Sequence, residues 1–336
     1  MSSLFSGIHA RMRGSSSKAS AAAGASNNKR VAAAAASEPP RRSYDTQTSA
    51  RSVASNASAP PKSPSFGKSI EAMSPQYLDC PRPLPLWLNS AYAKHIVKGN
   101  FMTLSARPKT VEQGEWVAHQ LVEHYRILMN FVRILLEMEE DGTSICTSRT
   151  CPKMSAGQNH SFTWLNKNDE PVELPAPEYM SRVQRWISGK IDDVTMFPTD
   201  PTGISFAYHP DYSNGSQMPQ HGNGAWLGMT SGFPKHFAGT CQLMFRQIFR
   251  VYAHLYWSHF VNPFYHLNLE KQLNSCFSHF ILTATTLDML QPNDLEPMQY
   301  LIDLWAADGT FPPESRPYSY ANVERGRYIM SLSAAI

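Results

Sequence analysis

The chain has 336 residues, of which 42% are hydrophobic and 17% are charged, a composition that supports a sizeable folded core. Its formal charge of +3 sums two unequal parts: residues 1–70 carry ten Lys/Arg and two Asp/Glu, whereas the rest carry 20 and 25. The acidic body argues against a nucleic-acid-binding protein. No run of 18 apolar residues occurs, so membrane insertion is not expected, and five cysteines are typical of a reducing compartment.

Residues 1–75 are predicted to form a disordered, basic tail rich in Ser and Ala. The first 70 residues contain 32 Ser or Ala and three aromatic residues, too little apolar surface to offset an ordering entropy of about 1–2 kcal/mol per residue. Ser63-Pro64 and Ser74-Pro75 match the dipeptide of proline-directed kinases, and an ordinary Ser/Pro linker explains them as well. RNA or acidic lipid is a lesser alternative partner for this tail, and no nucleic acid is expected.

Residues 76–320 are predicted to form one helical domain, followed by a C-terminal tail at 321–336. Apolar residues recur every three to four positions from Glu115 to Glu140, as in an amphipathic helix that Asp141-Gly142 ends. Phe162–Leu165 is predicted to be a strand or hairpin. Pro177 suits the first position of the next helix.

The C-terminal half is predicted to begin with a long loop at residues 199–232, which contains six Gly and three Pro. Phe237–Phe260 is apolar nearly all round, which indicates a buried central helix ended near Pro263. Further helices are predicted at Leu269–Leu290 and after a capping Asp294. The fold class is therefore mostly α, a helical bundle without the βαβ alternation of nucleotide-binding folds.

The sharpest chemical signal is Cys146-x4-Cys151 followed by His254-x4-His259. Two thiolates and two imidazoles suit a tetrahedral zinc ion. Two residues five apart lie about 140° apart around an ideal helix. Both histidines can therefore bind one ion only if the helix end is distorted or the metal lies beside its last turn, and the nearby Pro263 makes such an ending plausible.

Spacing alone leaves two interpretations open. In the first, four protein ligands fill the coordination shell of a structural zinc. In the second, Cys146 is an ordinary loop thiol and His254 is a hydrogen-bonded core histidine. A metallohydrolase would need an open metal position and a nearby base, and the chain has no H-x-E or H-E-x-x-H motif.

Several motifs resemble those of the Mob (Mps one binder) kinase regulators. Cys146-Thr-Ser-Arg-Thr-Cys151-Pro-Lys-Met-Ser-Ala-Gly157 is similar to their C-x4-C-P-x-M-S-A-G signature. Phe249–Tyr256 is similar to their F-R-V-Y-A-H-x-Y segment, with His259 at the second ligand position. The other matching segments are Glu115-Trp116-Val117-Ala118, Phe233-Pro234-Lys235 and Leu269–Phe280. All the motifs occur in the family's order, and the resemblance covers residues 85–306.

The resemblance implies a four-helix-bundle core with peripheral helices, a short hairpin and a structural Zn²⁺ bound by Cys146, Cys151, His254 and His259. It implies an adaptor without catalysis that binds the N-terminal regulatory region of an NDR/LATS-class Ser/Thr protein kinase. Because no coiled-coil seam or repeat is evident in the sequence, we expect a monomer that forms a heterodimer with the kinase. The expected location is the cytoplasm and nucleus, together with sites of polarised growth or the septum.

The resemblance also implies a kinase-binding surface at the start of the first long helix. Its members by position are Glu112, Glu115 and Trp116, with Glu123 and Tyr125 as looser candidates. From the residues alone, we favour structural roles for both: Trp116 as a core anchor, and Glu115 as part of a solvated face or as a favourable charge at a helix N-terminus.

Some Mob proteins also bind phosphopeptides in a basic pocket, and this chain departs from that pattern. Arg246 and Arg250 are kept, but Gln247 stands where the phosphate-binding branch has Arg, and Asp169-Glu170 replace a Lys pair. Two anions in place of two cations repel a phosphate. We therefore predict weak or absent phosphopeptide binding, against the alternative of a phosphopeptide-reading, mitotic-exit type scaffold.

The segment AYAKHIVKG at residues 91–99 and the long loop at 199–232 suit a particular branch of the family. They resemble the fungal branch that partners the NDR-type kinase of polarised growth, morphogenesis and cell separation. The function expected from the resemblance is co-activation of that class of kinase.

Overall fold

The computed structural model describes residues 80–137, 143–199 and 226–334. The predicted tail at 1–75, the helix-ending Asp141-Gly142 pair and most of the predicted loop at 199–232 lie outside these residues.

The first described residues form short helical elements: a 3₁₀ turn at Leu86–Leu88, α1 at Ser90–Ala93 and α2 at Phe101–Ser105. The side chain of Asn89 accepts a hydrogen bond from the Ala91 amide, and Asn100 does the same for α2. Asparagine is favoured at this position because it satisfies an amide that has no helical partner.

The long helix α3 spans Gln113–Leu136 and begins two residues before the predicted start. Its N-cap is Glu112, whose carboxylate accepts hydrogen bonds from two backbone amides of the first turn. One face is buried through residues at helical spacing, including Val117, Leu121 and Leu128. The amphipathic pattern of this segment therefore predicted the helix, but α3 ends at Leu136, four residues before the predicted end, because Glu137 has extended backbone.

Two short hairpins follow α3: β1 at Ser155–Ala156 with β2 at His160–Ser161, and β3 at Thr163–Leu165 with β4 at Pro171–Glu173. β1 and β2 are antiparallel, with Ser155 opposite Ser161. The predicted strand or hairpin at Phe162–Leu165 is thus confirmed. Residues 165–171 are not part of the main compact unit.

The next two long helices are α4 at Ala176–Ile191 and α5 at Phe237–His259, the second preceded by a 3₁₀ turn at Met229–Ser231. Pro177 is the second residue of α4, one position later than predicted. α5 continues into a π-helical segment at Phe260–Tyr265 that contains Pro263.

α6 spans Glu270–Thr286, shorter than the predicted Leu269–Leu290, because Asp288 adopts a φ of 56° that does not continue a helix. The predicted cap Asp294 is instead the third residue of a 3₁₀ turn at Pro292–Met298. That turn is capped by Gln291, whose amide donates to the Asp294 carboxylate at 3.0 Å. α7 follows at Gln299–Ala307.

The segment predicted to be a C-terminal tail, 321–336, contains the helix α9 at Val323–Ala334, and the short helix α8 at Arg316–Ser319 precedes it. α9 packs on α7, where Ile329 is fully buried and Arg325 pairs with the buried Asp303. The backbones approach closely at Gly326, where a Cβ would lie 2.0 Å from the Asp303 carbonyl oxygen. The segment was misread because its helix depends on these tertiary contacts.

The core is a bundle of α3, α4, α5 and α6, with the short helices around it, and the predicted fold class is correct. Aromatic side chains fill the contact between α5 and α6, as in the stacked pair Phe245 and Phe280, with ring centroids 5.8 Å apart. Tyr252 contacts both Phe277 and Phe280. Within the described ranges no helix is both long and apolar enough to cross a membrane.

Candidate metal centre and the surfaces around it

The two cysteines are positioned by a compact turn after α3. The Cys146 amide donates to the Leu135 carbonyl at 3.1 Å, which ties the loop to the end of the helix. The Cys151 amide donates to the Thr147 carbonyl at 2.8 Å, and the Thr147 amide donates to the Thr150 hydroxyl at 2.9 Å. These bonds reverse the chain so that both sulfurs point toward α5.

The four predicted ligand residues converge on one point. Their ligand atoms all lie within 4.8 Å of one another, and all four residues are buried. The Cys146 sulfur is 3.9 Å from His254 Nε2, and the Cys151 sulfur is 3.4 Å from His259 Nε2. A tetrahedral zinc, with Zn–S of about 2.3 Å and Zn–N of about 2.0 Å, places sulfur and nitrogen ligands about 3.5 Å apart.

The end of α5 is distorted at His259, which is the distortion that two ligands spaced i, i+5 require. His259, the last α5 residue, has φ of −130° and ψ of 4°, outside the helical range, and the π-helical segment follows directly. The two imidazole centroids consequently lie 5.1 Å apart. Two side chains spaced i, i+5 therefore converge here, whereas on an ideal helix they would lie about 140° apart.

The backbone of β1 orients one of the two imidazoles. His254 Nδ1 lies 2.8 Å from the Ser155 carbonyl oxygen, so this nitrogen carries the proton and donates. Nε2 is then the unprotonated nitrogen facing the cysteines, an arrangement that orients many metal-bound histidines. The pKa of the Cys151 thiol is lowered, first by the hydrogen bond from Cys146 and then by the two histidines. The pKa of the Cys146 thiol is raised, first by the same hydrogen bond and then by burial.

These residues fit a zinc ion by donor set, spacing and burial. Two sulfurs and two nitrogens form a closed tetrahedral shell, the pattern of a structural site. The interpretation of Cys146 as an ordinary loop thiol does not explain why four donors converge. In the part of the chain that the structure describes, no other group of three or more His, Cys, Asp or Glu is placed to hold an ion.

Glu112, predicted to bind a kinase, has a structural role at the start of α3. Its Oε2 accepts hydrogen bonds from the Gly114 amide at 2.7 Å, the Glu115 amide at 3.1 Å and the Ser231 hydroxyl at 3.4 Å. It therefore caps the helix and connects it to the 3₁₀ turn before α5.

The other kinase-binding candidates divide into two groups. Glu115 is exposed, Trp116 is half-buried with its indole donating to the Ser105 carbonyl at 3.2 Å, and Glu123 forms an exposed ion pair. At 100° per residue these three share one face of α3. Tyr125 lies on another face, where it is buried and donates to the Gln184 carbonyl of α4 at 3.0 Å.

The three α5 residues of the predicted phosphopeptide pocket already have protein partners. Arg246 pairs with Asp294 at 2.8 Å. The Gln247 side-chain oxygen accepts from the Tyr179 hydroxyl at 2.6 Å, and Arg250 donates to the same hydroxyl at 3.1 Å. Tyr179 thus joins α4 to this part of α5, a role that its spacing in the sequence did not reveal.

Asp169 and Glu170 lie in the turn between β3 and β4. Asp169 adopts a positive φ of 61°, which Asp tolerates better than most residues. The Glu170 carboxylate accepts from the Asn166 side chain at 2.9 Å, and the Glu170 amide donates back to that side chain at 3.0 Å. These two residues shape the turn.

Comparisons with known proteins show which family this chain matches. A model of the Mob1/phocein family matches residues 93–210 and 223–298. "Maintenance of ploidy protein mob2" of Schizosaccharomyces pombe is 33% identical over 221 residues, covering 66% of this chain and 76% of that protein. The "CBK1 kinase activator protein MOB2" of Candida albicans is 30% identical over 233 residues, covering 69% of this chain and 63% of that protein.

The protein of the same name from Saccharomyces cerevisiae is 31% identical over 214 residues, covering 64% of this chain. The match spans less than two thirds of the length of each CBK1 kinase activator protein, 63% and 62%.

Proposed function

Since this chain belongs to the Mob1/phocein family, we propose that it is an adaptor that activates a protein kinase. The names of two relatives, CBK1 kinase activator proteins, support this role. As a member of this family, the chain is not itself an enzyme.

The partner that we propose is the N-terminal regulatory region of an NDR/LATS-class Ser/Thr kinase. The family resemblance implies that this kinase segment is basic and helical, and the acidic body of the chain complements it. The complex would be a heterodimer acting in polarised growth, morphogenesis and cell separation. It would act in the cytoplasm and nucleus and at growth sites or the septum.

The observation that carries the proposal is the surface at the start of α3. Glu115 is exposed there beside the half-buried Trp116, and Trp is one of the residues enriched at interface hot spots. Tyr125 is left out of this surface because it packs against α4. Glu112 would contribute indirectly, by capping the helix that presents the other two residues.

The metal in this proposal is a structural Zn²⁺ held by Cys146, Cys151, His254 and His259. When bound, it supplies no chemistry beyond joining the loop after α3 to the end of α5. The protein itself positions the ligands: the turn at Thr147 orients the sulfurs of Cys146 and Cys151 toward α5, and the Ser155 carbonyl fixes the tautomer of His254. The kinase-facing helix would thereby be held in position.

The experiment that tests the interface compares two charge reversals at opposite ends of α3. The full chain carrying Glu115→Lys and the matched control Glu137→Lys, both at exposed positions, are used to capture kinases from lysate. We expect Glu115→Lys to weaken recovery of an NDR-class kinase about tenfold, or about 1.4 kcal/mol, and Glu137→Lys to leave it unchanged. Equal recovery with both variants, at equal melting temperature, would contradict this interface.

Phosphopeptide reading is proposed to be weak or absent. The contacts of Arg246 with Asp294 and of Arg250 with Tyr179 support this, because a phosphate would have to compete with existing partners. Titration of the full chain with phosphothreonine peptides should show no micromolar binding, and the unphosphorylated peptides serve as controls. Micromolar, phosphate-dependent binding would favour the scaffold alternative instead.

A further inference from the structure

A short turn ahead of α5 lies against the first turn of α3, beside the surface proposed to bind a kinase. It consists of the 3₁₀ turn Met229–Ser231 and the glycines on either side, Gly228 and Gly232, and is called the glycine turn below. Both glycines adopt left-handed backbone conformations, with φ of 80° and 78°, which residues with a side chain rarely adopt. The two glycines therefore specify the conformation of the glycine turn.

Two contacts join the glycine turn to α3. The Ser231 hydroxyl donates at 3.4 Å to Glu112 Oε2, the same oxygen that caps the helix. The two backbones meet at glycines, where a Cβ on Gly114 would lie 2.5 Å from the Gly228 Cα and 2.9 Å from its amide nitrogen. Real Cβ atoms essentially never approach other atoms this closely. Only glycine at position 114 therefore lets the turn lie where it does.

The glycine turn is also anchored from the side of α5. Phe233, which directly follows it, is buried and stacks on Phe237 of α5 with ring centroids 4.1 Å apart. The Phe233 carbonyl accepts from the Trp226 indole at 2.8 Å, and the Phe233 amide donates to the Gly228 carbonyl at 3.0 Å. Held from both sides, the glycine turn and the start of α3 present one continuous surface.

One apolar side chain of the glycine turn is left largely uncovered. Met229 is 49% exposed, and Glu115 in the adjoining first turn of α3 is exposed as well. A methionine on a rigid backbone binds an apolar partner at a low entropic cost, and its flexible thioether adapts to the partner's shape. A negative charge beside an apolar contact complements a basic amphipathic helix, which offers both features.

We propose that the glycine turn is part of the kinase-docking surface, and that Met229 packs against an apolar side chain of the kinase's basic, helical N-terminal segment. This inference rests on the proposed function and extends it, because all the docking residues expected from the sequence lie on or directly before α3. Gly114 and Ser231 are positioning residues in this surface, since they fix the glycine turn on α3 and are themselves buried.

The first test titrates the full chain with the recombinant N-terminal segment of an NDR/LATS-class kinase by calorimetry. Met229→Ser should weaken binding about five- to tenfold, whereas Met229→Leu keeps an apolar side chain of similar volume and should bind as the wild type does. Val261→Ser is the matched control, because Val261 is 46% exposed and lies beyond the opposite end of α5. Equal affinity of Met229→Ser and the wild type would overturn the proposal.

The second test moves the glycine turn without changing its exposed side chain. Gly114→Ala should weaken binding of the same segment several-fold at unchanged zinc content, because the new Cβ displaces Gly228. Gly189→Ala is the matched control and should keep wild-type affinity, since nothing lies within 4 Å of a Cβ there. Alanine is the better helix former at both positions. Unchanged affinity of Gly114→Ala would contradict a docking surface that includes the glycine turn.

Failure of this inference is distinguishable from failure of the proposed function. If the wild-type chain does not bind the kinase segment, both are overturned. If Glu115→Lys weakens binding and Met229→Ser does not, the surface on α3 is retained and the glycine turn is excluded from it.

Discussion

Among the described residues, two pairs of neighbouring histidines are buried, and one of these pairs resembles a metal centre while the other does not. His254 and His259 have ring centroids 5.1 Å apart, and His124 and His279 have centroids 4.8 Å apart. The first pair faces two cysteine sulfurs. The second pair lies between α3 and α6, beside the ring of Phe280.

The difference shows that proximity of imidazoles does not by itself make a metal site. In the first pair a backbone carbonyl fixes the His254 tautomer, and the thiols supply the remaining donors. In the second pair both ring nitrogens of His124 and Nε2 of His279 have no hydrogen-bond partner among the described atoms. Burial lowers the pKa of His124, with help from His279, and lowers the pKa of His279 to about 4. The second pair is therefore neutral and acts as packing.

Loss of one metal ligand should have the largest effect. Cys151→Ser or His254→Gln is expected to abolish stoichiometric zinc and to lower the melting temperature by roughly 10 °C or more, since several kcal/mol of binding energy is coupled to folding. His266→Gln, at an exposed position close to the same segment, is the control and should retain both. Full zinc content in either ligand variant would contradict the assigned ligand set.

Acidification should destabilise the protein, because the pKa values of His124 and His279 are lowered in the folded state. Between pH 6.5 and 4 the unfolded chain binds protons at these histidines and the folded chain does not, so stability falls as pH falls. For His279 the loss reaches up to about 3 kcal/mol at the acid end. Denaturant unfolding over this range measures it.

The control for this pH dependence is the variant with both His124→Leu and His279→Leu. Acid also releases the metal, and burial raises the pKa values of Asp303 and Asp308. Both effects occur in the wild type and in the variant alike. The difference between wild type and variant therefore isolates the two histidines. Parallel stability curves from pH 6.5 to 4 would show that these side chains are not neutral in the folded state.

The smallest predicted effect is that of His124→Leu at neutral pH. This substitution should raise the stability of the protein, whereas loss of a metal ligand should lower it. His124→Leu removes two unpartnered nitrogens from the core and should stabilise the protein by about 1 kcal/mol. His119→Leu, on the same helix but exposed, should change stability by less than about 0.5 kcal/mol. A strongly destabilised His124→Leu would indicate that His124 has a bonding role.

The sequence allowed the four residues of the candidate metal centre to be predicted, because the cysteine spacing and the family motifs both point to them. It did not reveal the pair His124 and His279, since their contact joins two helices far apart in the chain. The capping role of Glu112 was also missed, because a glutamate before a helix has the same pattern whether its side chain bonds to the backbone or to solvent.

Elements that depend on tertiary contacts were the least predictable. α9 contains Gly326 and two serines, which weaken its own helix propensity, and its stability rests on the buried Asp303 and on close packing against α7. The helices α3 and α5 were predictable without reference to their neighbours, because α3 has a long apolar stripe and α5 is apolar nearly all round.

The most direct test of the account is the coordination shell of the metal in the purified full chain, measured by X-ray absorption spectroscopy together with metal content. We expect one zinc per chain with two sulfur ligands at about 2.3 Å and two nitrogen ligands at about 2.0 Å, as in a closed structural site. An oxygen ligand in place of one of these four would indicate an open site and would contradict the role assigned to this centre, as would a chain purified without metal that folds equally well.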